Sequence, residues 1–305
     1  MLAIFLKTLP FFGLIGLGWF AGRIRFFPPE ATAWLTKFVF YFVLSAMLFR
    51  FTATLPIEEL FDPAFFAAYL TGSGAVWLIG FAVARMQSRP LAEAAMEAHT
   101  AMTGNTGFLG VPMLVVLLGP KAAGPVLMVL AADMIVFSSL ITMVITAARH
   151  GRIALVPLAL GLVRNPMIVS MLAGLAWAGL HLPMPAPLSE FVTLLGAAAT
   201  PGALFAIGAS LAGKSAERVG PALWLSAAKL FLHPAAVALC ALVLFPVEPF
   251  AAGVMIAAAA LPVAGNVYIL ATHFAVAPQR VSTAILISTA FSILTIPGVI
   301  AWVTR

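Results

Sequence analysis

Charge is what this chain has least of. Only 9% of its 305 residues are Asp, Glu, Lys or Arg, while 63% are hydrophobic; soluble domains carry roughly 25% charged residues. That scarcity excludes a soluble enzyme, and the apolar stretches leave no room for a separate ligand-binding domain. Cysteine is nearly missing as well. The single Cys240 lies in an apolar stretch, so it supplies neither an intramolecular disulfide nor a thiolate metal site. Acid is scarcer than base, 10 residues against 16, but no basic run or stacking motif accompanies the excess, so it reads as membrane topology and no nucleic-acid partner is expected. The phosphate-binding pattern Gly-x-x-x-x-Gly-Lys-Ser/Thr is absent, as is His-Glu-x-x-His. Five scattered His without Cys or carboxylate neighbours make no metal site. Neither a cofactor nor a metal is expected.

What the chain does have is ten apolar stretches, each as long as a bilayer is thick: Leu2 to Ala21, Ala33 to Phe51, Pro63 to Ala84, Ala94 to Leu118, Gly124 to Ala148, Pro166 to Leu182, Leu188 to Leu211, Pro221 to Phe245, Phe250 to Phe274, and Val281 to Val303. The first follows no basic leader and is expected to be a retained span and not a cleaved signal. Alternate connections divide the basic residues ten to four: Arg23, Arg25, Arg85, Arg89, Arg149, Arg152, Arg164, Lys214, Arg218 and Arg280 on one side, against Lys7, Arg50, Lys121 and Arg305 on the other. By the positive-inside rule both termini face outward across the plasma (inner) membrane, and the 149–165 connection is cytoplasmic. Lys37 and Lys229 fall inside spans.

Five spans in residues 1–148 and five in residues 166–305 must enter the bilayer with opposite orientation. The expected fold is therefore an all-α polytopic membrane protein of ten transmembrane helices, built as two inverted five-helix repeats. Its fourth span holds Gly104-Asn105-Thr106-Gly107, followed by Gly110 and Pro112; its ninth holds Pro262, Gly265 and Asn266. Gly104-Asn105 aligns with Gly265-Asn266 without a gap, and helix breakers flank both. In hydrocarbon an unpaired backbone group costs several kcal/mol, so such breaks survive only where they line a polar cavity or are packed inside protein. A half-helix starting after a break points free N–H groups inward, which suits a carboxylate, and Asn offers a donor and an acceptor without charge. The plainer alternative is that Asn and Gly merely allow two helices to cross closely.

These residues have a familiar look. Gly104 to Pro112 in the fourth span, Leu261 to Ala271 in the ninth, Lys229-Leu-Phe-Leu-His-Pro234 in the eighth and Pro201 to Gly208 in the seventh resemble bacterial members of the auxin efflux carrier (PIN-like) family, over essentially the whole chain. The resemblance implies a ten-span, inverted-repeat secondary carrier of small organic anions such as auxin, malate or malonate, with fourth and ninth helices crossing near the midplane. Plant members carry Pro where this chain has Val267, and a long hydrophilic loop where it has only the short stretch around His150.

The expected substrate site is Asn105, Thr106, Gly107 and Pro112 with Pro262, Gly265 and Asn266. Asp133 is read as the only acidic residue deep in a span, and Lys229 should match it in depth. They form either a structural ion pair or a mechanistic couple in which Lys229 meets the substrate charge and Asp133 carries a proton. His233, one turn from Lys229, is a relay candidate, whereas His99 and His273 are placed at the cytoplasmic ends of the broken helices. The expected partners are a small organic anion, the lipid bilayer and a proton, with a homodimer left open. A sodium-coupled symporter of the bile-acid type is the alternative, but it calls for several oxygen ligands at the crossing, preferably carboxylates. An intramembrane enzyme would need a Ser-His pair, an Asp dyad or a metal motif.

Overall fold

A computed structural model describes residues 2–54, 62–150, 155–214 and 219–304. They are helical throughout, apart from short connections and one isolated antiparallel bridge. In chain order the helices are α1 (Leu2–Arg23), α2 (Pro29–Thr54), α3 (Pro63–Met86), α4 (Leu91–Met102), α5 (Thr106–Leu118), α6 (Pro120–Arg149), α7 (Leu155–Val163), α8 (Pro166–Gly179), α9 (Ala186–Ala212), α10 (Val219–Leu244), α11 (Pro249–Ala259), α12 (Gly265–His273) and α13 (Pro278–Val303). Seven of them, α1, α2, α3, α6, α9, α10 and α13, are long and apolar enough to cross a membrane; α5, α8 and α11 are shorter apolar helices. The expected fourth span divides into α4 and α5, and the ninth into α11 and α12. The 149–165 connection contains α7.

Several helices begin at a residue followed by Pro, a start that fixes φ and omits an N–H that would have no partner. Asp62 accepts from the N–H groups of Ala64 and Phe65 at the start of α3, Asn165 from Met167 at α8, and Glu248 from Phe250 and Ala251 at α11. Each cap satisfies donors that the first turn leaves open.

The helices pack as two sets. In the first, α1 lies along α9, α8 lies along α2, and α9 also touches α2. These crossings are very close. An ideal Cβ on Gly18 would fall 2.1 Å from the Phe205 carbonyl oxygen, one on Gly208 1.9 Å from that of Ile15, and one on Gly174 2.6 Å from that of Phe49. In the second set α3 packs on α4 and α10, α6 on α4 and α11, and α13 on α10 and α11. The sets meet where α1 touches α13 and where α9 touches the turn that opens α5.

Five π-turns interrupt the described helices, at Val39–Val43, Thr106–Gly110, Ala132–Phe137, Ala228–Leu232 and Cys240–Leu244. Such turns cost regular hydrogen bonding and gather at functional sites. Here they carry Thr106, Asp133 and Lys229.

Candidate functional site

The two breaks meet each other. Gly104 and Val263 form the antiparallel bridge, with Asn105 N–H donating to the Pro262 carbonyl at 2.8 Å and Ala264 N–H to that of Thr103 at 3.1 Å. Ser288 of α13 accepts from the Val263 N–H at 3.0 Å, and the Asn105 carbonyl accepts from both Leu109 and Gly110. Backbone opened by one break is thus satisfied largely by the other, which is how irregular chain survives inside an apolar bundle. Gly104 fits this approach closely: a Cβ there would lie 3.3 Å from the Ala258 carbonyl oxygen and 3.4 Å from the Lys229 ammonium, so the neighbours would have to give by a few tenths of an ångström. A Cβ on Gly110 would lie 2.5 Å from Leu261.

Relative to the bridge the two asparagines are not equivalent. Asn105 precedes the first turn of α5 and is 7% exposed, whereas Gly265 and Asn266 open α12 and are exposed. The gapless alignment of Gly104-Asn105 with Gly265-Asn266 puts Thr103 on Ala264, and these two residues also lie opposite each other in the antiparallel pairing. No side chain caps α5 or α12, and among the described residues neither Asn side chain makes a hydrogen bond. Thr106, Gly107, Pro112 and Pro262 are buried. Pro112 lies beyond the π-turn, in the first turn of the regular part of α5, and belongs to no polar contact among the described residues.

From the crossing a line of polar side chains runs through the second set of helices. Asp133, 4% exposed, accepts from Tyr69 Oη at 2.7 Å and from Thr106 Oγ1 at 3.4 Å. Ser73, one turn along α3 from Tyr69, has its Oγ 2.9 Å from His233 Nε2. His233 Nδ1 is 3.0 Å from the ammonium of Lys229, which is fully buried and donates to the Ala259 carbonyl at the end of α11. Asp133, Lys229 and His233 are thus brought near one another; of the two alternatives, a direct Asp133–Lys229 ion pair is not formed among the described residues, and Tyr69 and Ser73 of α3 engage Asp133 and His233 instead. Tyr69 and Ser73 both come from α3, which packs on α10 and sends Tyr69 to Asp133 of α6.

Two other readings are corrected. Glu97 is also deeply buried, at 3% exposed, and is paired with Arg280, which also reaches Glu93; Arg89 Nε lies 3.8 Å from Glu97. Its partner Arg280 is far away in the sequence, so the pairing has no local sequence signal. His99 does not lie at the start of α4. It is buried two turns along α4, with Nδ1 3.2 Å from Thr103 Oγ1 beside the break. His273 is exposed at the end of α12. Tyr69, Ser73 and Ser288 were missed altogether; the only sequence signal was the i, i+4 spacing of Tyr69 and Ser73, which places them on one helix face.

Two hollows flank this centre. One, of about 890 Å³, is lined by residues that include Arg50, Asp62, Lys121, Thr193 and Glu248. The other, about 220 Å³, lies between the Gly213-Lys214 connection and the facing residues of α12 and α13. There the Lys214 ammonium sits 3.7 Å from the centre of the Tyr268 ring, and burial lowers its pKa to about 8.

Among the described residues no group of His, Cys, Asp and Glu has the makings of a metal site. An apolar helical bundle with two mutually paired helix breaks and uncapped half-helices defines a membrane transport protein. The chain matches the family described as "Membrane transport protein" over residues 3–300 and belongs to that family, the one that contains the auxin efflux carriers. It is also 32% identical over 299 residues to a protein of Rhizobium meliloti (strain 1021) described as "Putative malonate transporter", a match covering 96% of this chain and 93% of the relative. Family and relative alike are named as transporters, not enzymes.

Proposed function

We propose that the protein is a secondary carrier of small organic anions, dicarboxylates of the malonate kind among them, working by alternating access around the crossing of α4–α5 with α11–α12 and either coupled to protons or running as a uniport. The observation that carries this reading is the pairing of two helix breaks around Gly104 and Val263, with the uncapped N-termini of α5 and α12 and the unpartnered amides of Asn105 and Asn266 beside them. Free N–H groups and neutral amides suit a carboxylate, and the relative's name supplies malonate as the first substrate to try.

Counting each broken pair as one span, the reading has ten spans in two inverted repeats, residues 1–148 and 166–305, with both termini outside. The packing of α1 against α9 and of α8 against α2 supports it, since the inverted repeat makes these crossings counterparts and both use glycine against a carbonyl. Sodium coupling is the weaker reading. The breaks themselves carry no carboxylate, and the Lys229 ammonium beside Gly104 repels a further cation.

The test is uptake of radiolabelled malonate and a panel of mono- and dicarboxylates by purified protein in liposomes, without ATP, at several pH values and with or without sodium. Sodium-independent uptake of intact dicarboxylate is expected. Absence of flux for the whole panel would overturn the reading.

A further inference from the structure

The two hollows share one helix. α9 lines the larger with Ser189 and Thr193, and the Gly213-Lys214 pair just past its end lines the smaller. The facing residues come from the second helix set in both, Lys121 of α6 in one and Ser282 of α13 in the other. Each hollow therefore opens between the sets, and a solute passing from one to the other travels along α9. Through its second part, Ala199–Ala212, α9 touches the π-turn that opens α5, so this route meets the crossing at Thr106–Gly110.

There the crossing offers a glycine, and the first set lays side chains against it. A Cβ on Gly107 would fall 2.8 Å from Met167 Cε of α8 and 3.6 Å from Leu130 Cδ1. One residue on, Phe108 stacks against Phe40, from the π-turn of α2, with ring centres 6.2 Å apart and planes 6° from parallel. Met167 is 2% exposed, and the cap of α8 fixes its backbone, the Met167 N–H donating to Asn165 Oδ1 at 3.0 Å. Asp133, Lys229 and Ser288 of the second set bring polar groups to the breaks. Met167 and Phe40 bring a thioether and a ring.

We propose that Met167 and Phe40 determine which acids the carrier accepts, by closing the crossing from the side of the first set and leaving room beside Gly107 only for a small acid without a bulky substituent. This rests on the carrier reading above, with the carboxylates held by the donors of the crossing and the carbon between them turned to the first set. To admit malonate, the Met167 methyl has only to swing aside, which its rotatable bonds allow. A substituent on the middle carbon must also displace the Phe40 ring. A methylene too many in an apolar pocket changes selectivity by roughly 10- to 200-fold, so trimming either side chain should turn exclusion into acceptance.

The test compares malonate with benzylmalonate. In liposomes wild type should favour malonate, and Met167→Ala and Phe40→Ala should each lower the malonate-to-benzylmalonate ratio of Vmax/KM at least tenfold while malonate uptake changes less. Met167→Leu, which restores the bulk, should restore the ratio. A general loss of folded protein moves both acids together and leaves the ratio where it was. Should an Ala variant fail to fold, Met167→Val and Phe40→Leu make smaller openings and should shift the ratio in the same direction. Without any transport, benzylmalonate should raise the thermal midpoint of Met167→Ala but not that of wild type, whereas malonate raises both. Equal use of the two acids by wild type, or an unchanged ratio in variants that still carry malonate, would overturn the selectivity role and leave the carrier standing. A wild type that neither moves malonate nor is stabilised by it would overturn the carrier reading, and the selectivity role with it.

Discussion

Asn105 and Asn266 share a sequence context and differ in surroundings, one buried against the bridge and one open at the start of α12. Because neither amide is engaged by protein, removing it orphans no partner, so Asn105→Ala and Asn266→Ala should keep the wild-type thermal midpoint while uptake falls at least tenfold. Ser288→Ala should do the reverse. It removes the acceptor of the Val263 N–H, and an orphaned buried donor costs roughly 1–3 kcal/mol, so the midpoint should drop measurably while some transport remains. Equal thermal loss in all three variants would contradict the distinction. A further prediction separates a direct ion pair from the separate hydrogen bonds that Asp133 and Lys229 make. Asp133→Asn retains an oxygen to accept from Tyr69 and places an amide N–H where it can donate to Thr106 Oγ1, so it should fold well; Lys229→Met strands the Ala259 carbonyl and His233 Nδ1 and should not. The double variant should stay as unstable as Lys229→Met alone, whereas a direct pair would be rescued by the double change.

At the scale of the helices, the most demanding contact is glycine against carbonyl. Any side chain at Gly208 collides with the Ile15 carbonyl of α1, while Gly13, a turn away on α1, has nothing within 4 Å. Gly208→Val should therefore abolish a monodisperse peak in size-exclusion chromatography, and Gly13→Ala should leave it intact. The helix starts at Pro63 and Pro166 coincide with the expected span starts, because breakers act within one turn. Both helix breaks were legible too. The π-turns were not, because an extra residue in a helical turn is stabilised by tertiary contacts and leaves no periodicity of its own. For the same reason Tyr69 and Ser73 read as ordinary apolar-helix residues until α3 is set against α6 and α10.

For the molecule as a whole, the division of basic residues predicts which face meets the outside. A cysteine placed next to Glu190 should react with an impermeant thiol reagent applied to intact cells, and one next to His150 should react only after permeabilisation; reversed labelling would invert the orientation and move the 890 Å³ hollow to the cytoplasmic face. The bridge between the breaks also has a consequence for synthesis. Gly104 and Val263 are separated by some 160 residues of chain, and at about 5–20 residues per second the ribosome needs roughly 8 to 30 s to cover that distance. Throughout that interval the fourth span is already made, yet the Asn105 amide and the Thr103 carbonyl have no partner, in a solvent that charges several kcal/mol for each. The nascent chain must shelter that opened turn in water, in the insertion machinery or against earlier helices, so the first break stays exposed to quality control until the second has been made.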